Sequence, residues 1–299
     1  MIRPLATYSL ALTEVALLVS GESSAPEALS ISGLSMNDKD VEPGDLFIAA
    51  PGAHVHGAQF FHKAKERGAV AVLTDSVGAE IVKELPMIVV KDVRTAAAII
   101  ATSLYKSPTR DLASIGITGT NGKTTVTMLL HQIFTAAHRE SGLIGTVETR
   151  IGSETLTSSR TTPEAPELQS LAAVMRERQM RHLVMEVSSH AIALNRIKGT
   201  HFAMVGFTNL SQDHLDFHGD LESYFQVKAK LFTPEYADRG FINVDSEFGA
   251  RLARDCSISI TAISRLSTDA EWHFTEVQRN SSGYDFKIRG TGGMLIESK

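Results

Sequence analysis

The feature that most constrains the fold is a glycine-rich segment between an apolar run and a helical pattern. Residues 112–117 are mainly apolar and lead into Gly116-x-x-Gly119-x-x-Gly122-Lys123-Thr124, after which residues 123–137 have helical spacing. Glycine tolerates positive φ, so successive backbone N–H groups can turn toward phosphate oxygens, and the helix N-terminus adds partial positive charge. The sequence therefore predicts a phosphate-binding loop that joins a strand to a helix.

This loop departs from the common form, G-x-x-x-x-G-K-[ST], which needs glycine at position 117, where the chain has Ile117. We interpret Gly116 and Gly119 as its substitutes. A glycine turn followed by a chance Lys-Thr pair is the alternative, but the strand before it and the helix after it favour the phosphate loop. In that interpretation Lys123 reaches the outer phosphates of a nucleoside triphosphate and the Thr124 hydroxyl binds Mg²⁺. The predicted nucleotide-binding residues are Gly119, Thr120, Asn121, Gly122, Lys123, Thr124 and Thr125.

The rest of the chain alternates between strand and helix patterns, which predicts an α/β fold. Past the loop, apolar runs at 143–147, 182–187, 202–208 and 241–244 alternate with helical spacing at 166–180 and 221–232. Such alternation is typical of a mainly parallel sheet with helices on its faces. We predict two domains: a small N-terminal α/β domain over 1–90, and a central P-loop NTPase-like domain over 91–299 that ends in a β-hairpin at 272–288.

Composition excludes several classes of function. The formal net charge of −5 gives no basic footprint for nucleic acid, and no run approaches the roughly 18 apolar residues needed to span a membrane. Glu14 interrupts the apolar start of the chain, so we expect no signal peptide and a cytoplasmic protein. Cys256 is the only cysteine, so an internal disulfide is impossible. An anionic ligand therefore has to rely on a local site.

Polar residues follow two of the predicted strands, at the sheet edge where ligands collect. The apolar residues 182–185 end in Glu186, whose carboxylate could reach Mg²⁺ on a nucleotide, although an acidic residue ending a strand is as often structural. The next strand is followed by two aspartates and two histidines within six residues, Asp213, His214, Asp216 and His218. A cluster of this kind beside a phosphate loop favours a functional role over a structural one.

Longer runs of sequence carry a family resemblance. They are GTNGKTT at 119–125, MEVSSHA at 185–191 and FTNLSQDHLDFHGDLESYFQVKAKLF at 207–232. In order and spacing these runs resemble the Mur ligases, the ATP-dependent enzymes that add amino acids to the peptidoglycan precursor. TTPEAPEL at 161–168 and PGDLFIAAPG at 43–52 are similar to the branch that adds the third amino acid, the MurE type. The resemblance covers nearly the whole chain.

The resemblance implies a role for each of these sites. The loop 119–125 would bind ATP, and residues implied at the Mg²⁺ sites are Thr124, Glu186, His214 and Lys228. Those implied in catalysis are Lys123, Glu186, His214 and Lys228. The muramoyl substrate and its uridine diphosphate would be held by Met36, Asp38, Ala53, His54, Val55, Thr161, Thr162, Ser188 and Arg196.

At position 228 and at positions 37–39 the residue pattern and the family resemblance point in different directions. Lys228 matches the lysine that is carbamylated in this family, although its pattern alone predicts a solvated lysine on a helix. A carbamate is an anionic oxygen ligand that suits Mg²⁺, whereas an ammonium would be repelled by the metal. The family usually has Asp-Ser-Arg where this chain has Asn37-Asp38-Lys39, which adds a negative charge where a diphosphate is expected.

The implied reaction is an ATP-dependent amide ligation in peptidoglycan synthesis. The D-glutamate side-chain carboxylate of UDP-N-acetylmuramoyl-L-alanyl-D-glutamate would attack the γ-phosphate of ATP, and the amine of meso-diaminopimelate or L-lysine would displace phosphate from the acyl phosphate. The C-terminal ligase domain of the family is expected beyond Lys299, so this chain alone is expected to bind substrates but to turn over poorly, with a monomer favoured. A sister Mur or folyl-polyglutamate ligase and a catalytically silent binding fragment remain the alternatives.

Overall fold

The N-terminal part of the chain forms a small, mostly parallel sheet. The computed structural model describes residues 2–24, 28–52 and 54–298. Its first elements are β1 (Leu10–Ala11), α1 (Leu12–Leu18), β2 (Glu22–Ser23), β3 (Ser30–Ile31), β4 (Gly33–Ser35), β5 (Asp45–Ile48), α2 (Phe61–Glu66), β6 (Ala71–Thr74), α3 (Ser76–Ile81), β7 (Met87–Val89) and α4 (Val93–Leu104). The strand order is β2-β7-β6-β5-β4, with β4 to β7 parallel and β2 antiparallel, and β1 pairs with β3 separately.

Burial explains why these segments are strands and helices. Every residue of β5 and β6 is buried, as expected for parallel strands covered on both faces. A 3-10 turn, Gly57–Phe60, precedes the short α2, and the His56 imidazole accepts a hydrogen bond from the Ala58 amide at the start of that turn. Helix α4 begins after Asp92, whose carboxylate accepts a hydrogen bond from the Thr95 amide.

The central part of the chain forms a larger mixed sheet. Its elements are α5 (Pro108–Asp111), β8 (Ala113–Thr118), α6 (Lys123–Ala136), β9 (Ser141–Ile144), β10 (Glu148–Ile151), β11 (Glu154–Thr157), α7 (Ala165–Glu177), β12 (His182–Glu186), α8 (Ser189–Ala193), β13 (Phe202–Phe207), α9 (Leu215–His218), α10 (Leu221–Ala229), β14 (Ala237–Asn243), α11 (Glu247–Asp255), β15 (Ser259–Ser264), β16 (Trp272–Arg279), β17 (Tyr284–Arg289) and β18 (Leu295–Ser298). The strand order is β11-β10-β9-β12-β8-β13-β14-β15-β16-β17-β18. In this sheet order, the neighbouring strands β9-β12-β8-β13-β14-β15-β16 all pair in parallel. Antiparallel strands extend the sheet at both ends, β10 and β11 at one end and β17 and β18 at the other.

The predicted α/β fold with a mainly parallel sheet and a terminal hairpin is confirmed. Strand β14 begins at Ala237, before the predicted 241–244, because its first half carries polar side chains that hide the apolar signal. The sequence reasoning missed the β10–β11 hairpin, whose turn contains Gly152 at φ +64°, and it missed β18. A Gly-Ser turn between short alternating runs was the signal available for the hairpin.

Strand register decides where the functional loops meet. In the order β12-β8-β13, Glu186 pairs with Ile117 and Phe207 pairs with Thr118. The carboxyl ends of these neighbouring strands are therefore level, and the loops that follow them share one edge.

Helix α4 joins the two parts of the chain. Its apolar residues lie in one core with the N-terminal strands, and that core also includes Ala173 of α7. The division near residue 91 stays a prediction. Among the helices within the described ranges, none has the length and apolar character to cross a membrane.

Candidate nucleotide and substrate site

The phosphate loop has the backbone that its glycines predict. Gly119 has φ +144° and Gly122 has φ +85°, and Gly122 directly precedes α6. Ile117 is buried inside β8, so position 117 belongs to the strand. Gly116 also lies within β8, where a Cβ would meet the Phe202 ring at 2.9 Å. Gly116 therefore permits close packing in the core, and the interpretation of it as a substitute glycine of the loop is wrong.

The loop that follows β13 holds the phosphate loop in place. The Asn121 carbonyl accepts hydrogen bonds from Thr208 Oγ1 at 2.6 Å and Asn209 Nδ2 at 3.2 Å, and the Asn121 amide donates to Asn209 Oδ1 at 3.0 Å. The Thr120 amide donates to the Asn209 carbonyl at 2.9 Å, while Thr120 Oγ1 accepts from the Ser211 amide at 3.0 Å. Sequence reasoning assigned no role to Thr208 or Asn209, although their place at the end of a strand adjoining β8 was a usable signal.

Lysines reach the phosphate loop from both of its sides. Lys123 Nζ donates to the carbonyls of Gly119 at 3.0 Å and Thr120 at 2.9 Å, and burial lowers the pKa of Lys123. Lys228 Nζ, from α10, donates to the Gly119 carbonyl at 3.1 Å and lies 4.5 Å from the Tyr224 ring centroid. Such an arrangement concentrates positive charge where phosphate groups would lie.

Lys228 is not the solvated lysine that the helical pattern predicts. It is 1% exposed, because α10 packs this side chain against the phosphate loop. Burial is the largest cause that lowers the pKa of Lys228 to about 7, the positive charge of Lys123 adds to it, and Asp213 opposes it. Burial and the charge of Lys123 thus both favour the neutral amine of Lys228.

Glu186 faces the first turn of α6, as its position at the end of a strand predicts. The carboxylate is 1% exposed and accepts hydrogen bonds from Thr124 Oγ1 at 2.9 Å, from the Thr146 amide at 2.7 Å and from Thr146 Oγ1 at 3.1 Å. Sequence reasoning missed Thr146 because it placed residues 143–147 in a strand. Strand β9 ends at Ile144, and its carboxyl end brings Thr146 to the site.

His214 lies in an aromatic cluster beside this edge. It has φ +51°, its side chain is 47% exposed, and Nε2 is 3.4 Å from Asp213 Oδ2. Its ring packs edge-on to His190 at 4.9 Å and to Tyr224 at 6.4 Å between centroids. Thr124 and Thr146 donate the hydrogen bonds that the Glu186 carboxylate accepts, and His214 makes its contacts with Asp213, His190 and Tyr224.

The donor atoms at the loop fit Mg²⁺. A carboxylate and a threonine hydroxyl are the hard oxygen ligands that this ion prefers, and it usually keeps waters and takes phosphate oxygens as well. Glu186 and Thr124 supply those two donors in contact with each other. In the ranges that the structure describes, no group of three or more His, Cys, Asp or Glu could hold a metal by itself. Phosphate and water oxygens would therefore complete the coordination.

A cleft of about 460 Å³ runs between the N-terminal and central sheets. Of the residues implied for the uridine diphosphate end, Met36, Asp38 and Val55 line it, and His54 is exposed beside them. Ala53 lies outside the described residues. Asp38 stands in a 3-10 turn that begins after Asn37, so the acidic departure from the family pattern is in the cleft itself.

The other implied substrate residues connect this cleft to Glu186. Thr162 Oγ1 donates to the Glu186 carbonyl at 2.9 Å and accepts from the Ser188 amide at 3.1 Å. Arg196 Nη1 donates to the Thr162 carbonyl at 3.3 Å, and the hydroxyl oxygens of Thr146 and Thr161 are 3.0 Å apart, within hydrogen-bond distance. The structure thus brings Thr161, Thr162, Ser188 and Arg196 together.

The contact between Thr124 and Glu186 at the edge of a parallel sheet gives this part of the chain the build of a P-loop nucleotide-binding domain. Residues 117–299 match the Mur ligase middle domain, and residues 30–105 match the catalytic domain of the Mur ligase family. The chain belongs to the Mur ligase family.

The chain is also similar to individual Mur ligases, in sequence and in structure. The UDP-N-acetylmuramoyl-L-alanyl-D-glutamate–2,6-diaminopimelate ligase of Streptomyces coelicolor is 46% identical over 279 residues, covering 92% of this chain and 55% of that protein. A solved structure of a ligase with the same name superposes with a TM-score of 0.81 at 24% identity, covering 97% of this chain and 60% of that one. The Thermotoga maritima MurF ligase in complex with ADP has a TM-score of 0.63 at 16% identity, covering 89% and 57%. The chain spans about half the length of the curated relatives it matches.

Proposed function

We propose that this chain supplies the nucleotide and acyl-donor sites of an ATP- and Mg²⁺-dependent amide ligase of peptidoglycan synthesis. The substrate would be UDP-N-acetylmuramoyl-L-alanyl-D-glutamate, and the incoming amino acid meso-diaminopimelate or L-lysine. The hydrogen bond between Thr124 and Glu186 carries this proposal, because it joins two oxygen donors that suit Mg²⁺, and Thr162 donates to the carbonyl of the same Glu186. The name of the Streptomyces relative favours diaminopimelate. We also propose a cytoplasmic location, where ATP and UDP-sugars are available.

In this proposal some residues bind the phosphates of ATP, some hold Mg²⁺, and others position the carboxylate that reacts. The amides of the loop 119–125 and the α6 N-terminus would bind the phosphates of ATP, and Lys123 would exchange its carbonyl hydrogen bonds for phosphate oxygens. Thr124 and Glu186 would hold Mg²⁺, which would supply neutralisation of the phosphate charge. Thr162, Ser188 and Arg196 would position the D-glutamate side-chain carboxylate for attack.

The proposed ligation has two steps. The carboxylate oxygen forms a bond to the γ-phosphorus of ATP, and the bond from that phosphorus to the β,γ-bridging oxygen breaks to release ADP. The amine of the incoming amino acid then attacks the acyl carbon, inorganic phosphate leaves, and the amine proton passes to a base. Phosphorylation is needed because a free carboxylate is a poor acyl donor.

Lys228 would enter this chemistry as a carbamate. The neutral amine adds CO₂ and releases one proton, which converts a buried cation into an anionic oxygen ligand. Its burial beside Lys123 supports this, because two ammonium groups that share the Gly119 carbonyl repel each other and a carbamate would remove that repulsion.

Phosphate release tests the proposal. The chain, and separately a full-length relative, would be incubated with ATP, Mg²⁺, the UDP-muramoyl dipeptide and either amino acid. Phosphate release by the full-length protein that requires both the dipeptide and the amino acid supports the ligase. Binding of ATP and dipeptide to this chain without release is the expected behaviour of a half-length chain, and a failure to bind either would overturn the proposal.

A further inference from the structure

The first residues of the chain run between its two parts. Residues 2–8, which we call the strap, precede β1 and contain no helix or strand of their own. Ile2 packs against the core of the central part, whereas Tyr8 belongs to the core of the N-terminal part. Terminal segments are poorly ordered unless neighbouring elements hold them. The position of the strap therefore depends on what it contacts in the two parts.

Arg3 fastens the strap to the N-terminal sheet. Its guanidinium donates to both carboxylate oxygens of Asp45, at 2.6 and 2.5 Å, and to the carbonyl of Asp40 at 3.0 Å. Asp45 is the first residue of β5 and is 1% exposed. A bidentate pair with a buried carboxylate is directional, and loss of one partner would leave an unpaired buried charge. Gly33 provides the space for this pair, because a Cβ there would stand 2.2 Å from Arg3 Nη1.

Helix α7 fastens the strap to the central part. The Glu177 carboxylate, in the last turn of α7, accepts hydrogen bonds from the consecutive amides of Leu5 and Ala6, both at 2.8 Å. One side chain thereby fixes the direction of two successive peptide groups. The other contacts with α7 are hydrogen bonds from Ser170 Oγ to the Ile2 carbonyl and from Arg176 Nη2 to the Tyr8 hydroxyl, each at 3.0 Å.

The two elements that hold the strap also line the substrate cleft. Asp40, whose carbonyl accepts from Arg3, lines the cleft together with Asp38 from the same 3-10 turn. Helix α7 lines it with Pro166 and Glu167. The strap is therefore joined both to the lining that the N-terminal part contributes and to the lining that the central part contributes. The separation of these two linings limits which ligand the cleft admits.

The strap adds a second connection to one that the cores already make. Helix α4 and Ala173 of α7 lie in one core, which holds the two parts against each other. Domains joined by a limited area of packing move relative to each other by default. The strap contacts other residues of α7 through hydrogen bonds, which depend on direction as well as distance. The two connections together favour one separation of the cleft linings.

We propose that the strap sets the width of the substrate cleft, with Arg3 and Glu177 as its positioning residues. This rests on the proposed function, because the ligand that the width selects is the UDP-muramoyl dipeptide. Arg3 acts through the turn that contains Asp40, and Glu177 acts by tying α7 to the same segment. The phosphate loop and its lysines belong to the central part alone, so the strap affects binding of the UDP-sugar and leaves binding of ATP unchanged.

Calorimetric titration of this chain tests the strap with two ligands. One is UDP-N-acetylmuramoyl-L-alanyl-D-glutamate, and the other is a non-hydrolysable ATP analogue with Mg²⁺. E177A removes the acceptor of both strap amides, and we expect it to raise the Kd of the first ligand roughly threefold to tenfold while the Kd of the analogue stays within about twofold. E177Q keeps one acceptor oxygen and should give a smaller loss for the first ligand alone. R3K keeps the charge that faces Asp45 but loses the planar fork, and it should weaken the same ligand.

A distance measurement tests the strap without any ligand. Nitroxide labels would be attached at K63C on α2 and Q132C on α6, both exposed positions, in a C256S background. Pulsed electron paramagnetic resonance should give a narrow distribution of label distances when the strap is intact and a broader one with E177A. This readout reports positioning, because a change confined to the surroundings of Glu177 would not alter the distance between labels on other helices.

The controls separate the strap from general destabilisation and from the proposed function. E235A removes a surface glutamate that pairs with Lys198, and it should match the wild type in both measurements. Equal losses for both ligands with E177A, wild-type affinity for the dipeptide in both E177A and R3K, or an unchanged distance distribution with E177A would each overturn the strap. If the wild-type chain bound the ATP analogue but no UDP-muramoyl dipeptide, the proposed function would fail, and the label distances would still decide whether the strap holds the two parts.

Discussion

Lys123 and Lys228 donate to the same acceptor, the carbonyl oxygen of Gly119, at 3.0 and 3.1 Å. Side chains from α6 and α10 are thereby held close together by a backbone group, and Lys228 is buried. Two ammonium groups so close together repel each other unless an anionic group compensates their charge or one of the two amines is neutral.

A carbamate on Lys228 follows from this relationship and can be observed directly. Protein equilibrated with ¹³C-labelled bicarbonate should show a carbamate carbon signal in the NMR spectrum, and the K228R variant should lack it because a guanidinium does not add CO₂. K230R is the matched control on the neighbouring turn. A labelled signal that persists in K228R would assign the adduct to another amine.

Loss of the Glu186 carboxylate should weaken metal-dependent nucleotide binding. In E186Q an amide replaces an oxygen donor for Mg²⁺, so we expect the Kd of a non-hydrolysable ATP analogue to rise roughly tenfold to a hundredfold with Mg²⁺ and to change little in EDTA. Fluorescence titration measures both. E148Q, which removes a carboxylate paired with Arg150, should behave like the wild type. Equal weakening with and without Mg²⁺ would speak against a role for Glu186 at the metal.

The backbone at Gly119 should tolerate no side chain. A Cβ there would stand 2.0 Å from Thr208 Oγ1, on a residue with φ +144°. We expect G119A to lower the free energy of unfolding on the order of 1–3 kcal/mol and to abolish nucleotide binding. Urea unfolding and analogue titration provide the measurements. G283A, in the β16–β17 turn with nothing within 4 Å of its Cβ, should be nearly neutral, and a G119A chain as stable as G283A would contradict the steric argument.

His131 should make stability depend on pH. Its ring nitrogen Nδ1 is 2.8 Å from Ser141 Oγ, and burial, with a contribution from the charge of Arg150, lowers its pKa below the usual 6.5. Between the two pKa values the unfolded chain binds more protons than the folded chain, so stability is highest above about pH 6.5 and falls as the pH drops through it. Urea unfolding from about pH 7.5 to 5.5 should give a shallower slope for H131N than for the wild type. The exposed His54 provides a control, and an H131N slope as steep as that of H54N would refute the assignment.

Sequence patterns alone predict the parts of the site whose position follows from the strand or helix on which they lie. Apolar residues before Glu186 predict a strand, a strand end predicts the sheet edge, and the structure has the carboxylate there. The phosphate loop was predictable for the same reason, because its strand, glycines and helix are contiguous.

Features that depend on contacts between distant segments were not predictable from pattern. Lys228 occupies an ordinary helical position, and only the approach of the phosphate loop buries it. Glu164 and Arg94 are separated by 70 residues, so their ion pair has no local sequence signature. Gly116 looked like a loop glycine, and the Phe202 ring that explains it lies on another strand.

The hydrogen bonds between Asn121 and residues Thr208 and Asn209 link the phosphate loop to the segment that leads to Lys228. The same stretch of chain continues from Asn209 through His214 into α10, which carries Lys228. The chain segment that fixes the peptide at Asn121 is therefore continuous with the helix whose lysine contacts the Gly119 carbonyl, so both walls of the site are built from one stretch of backbone.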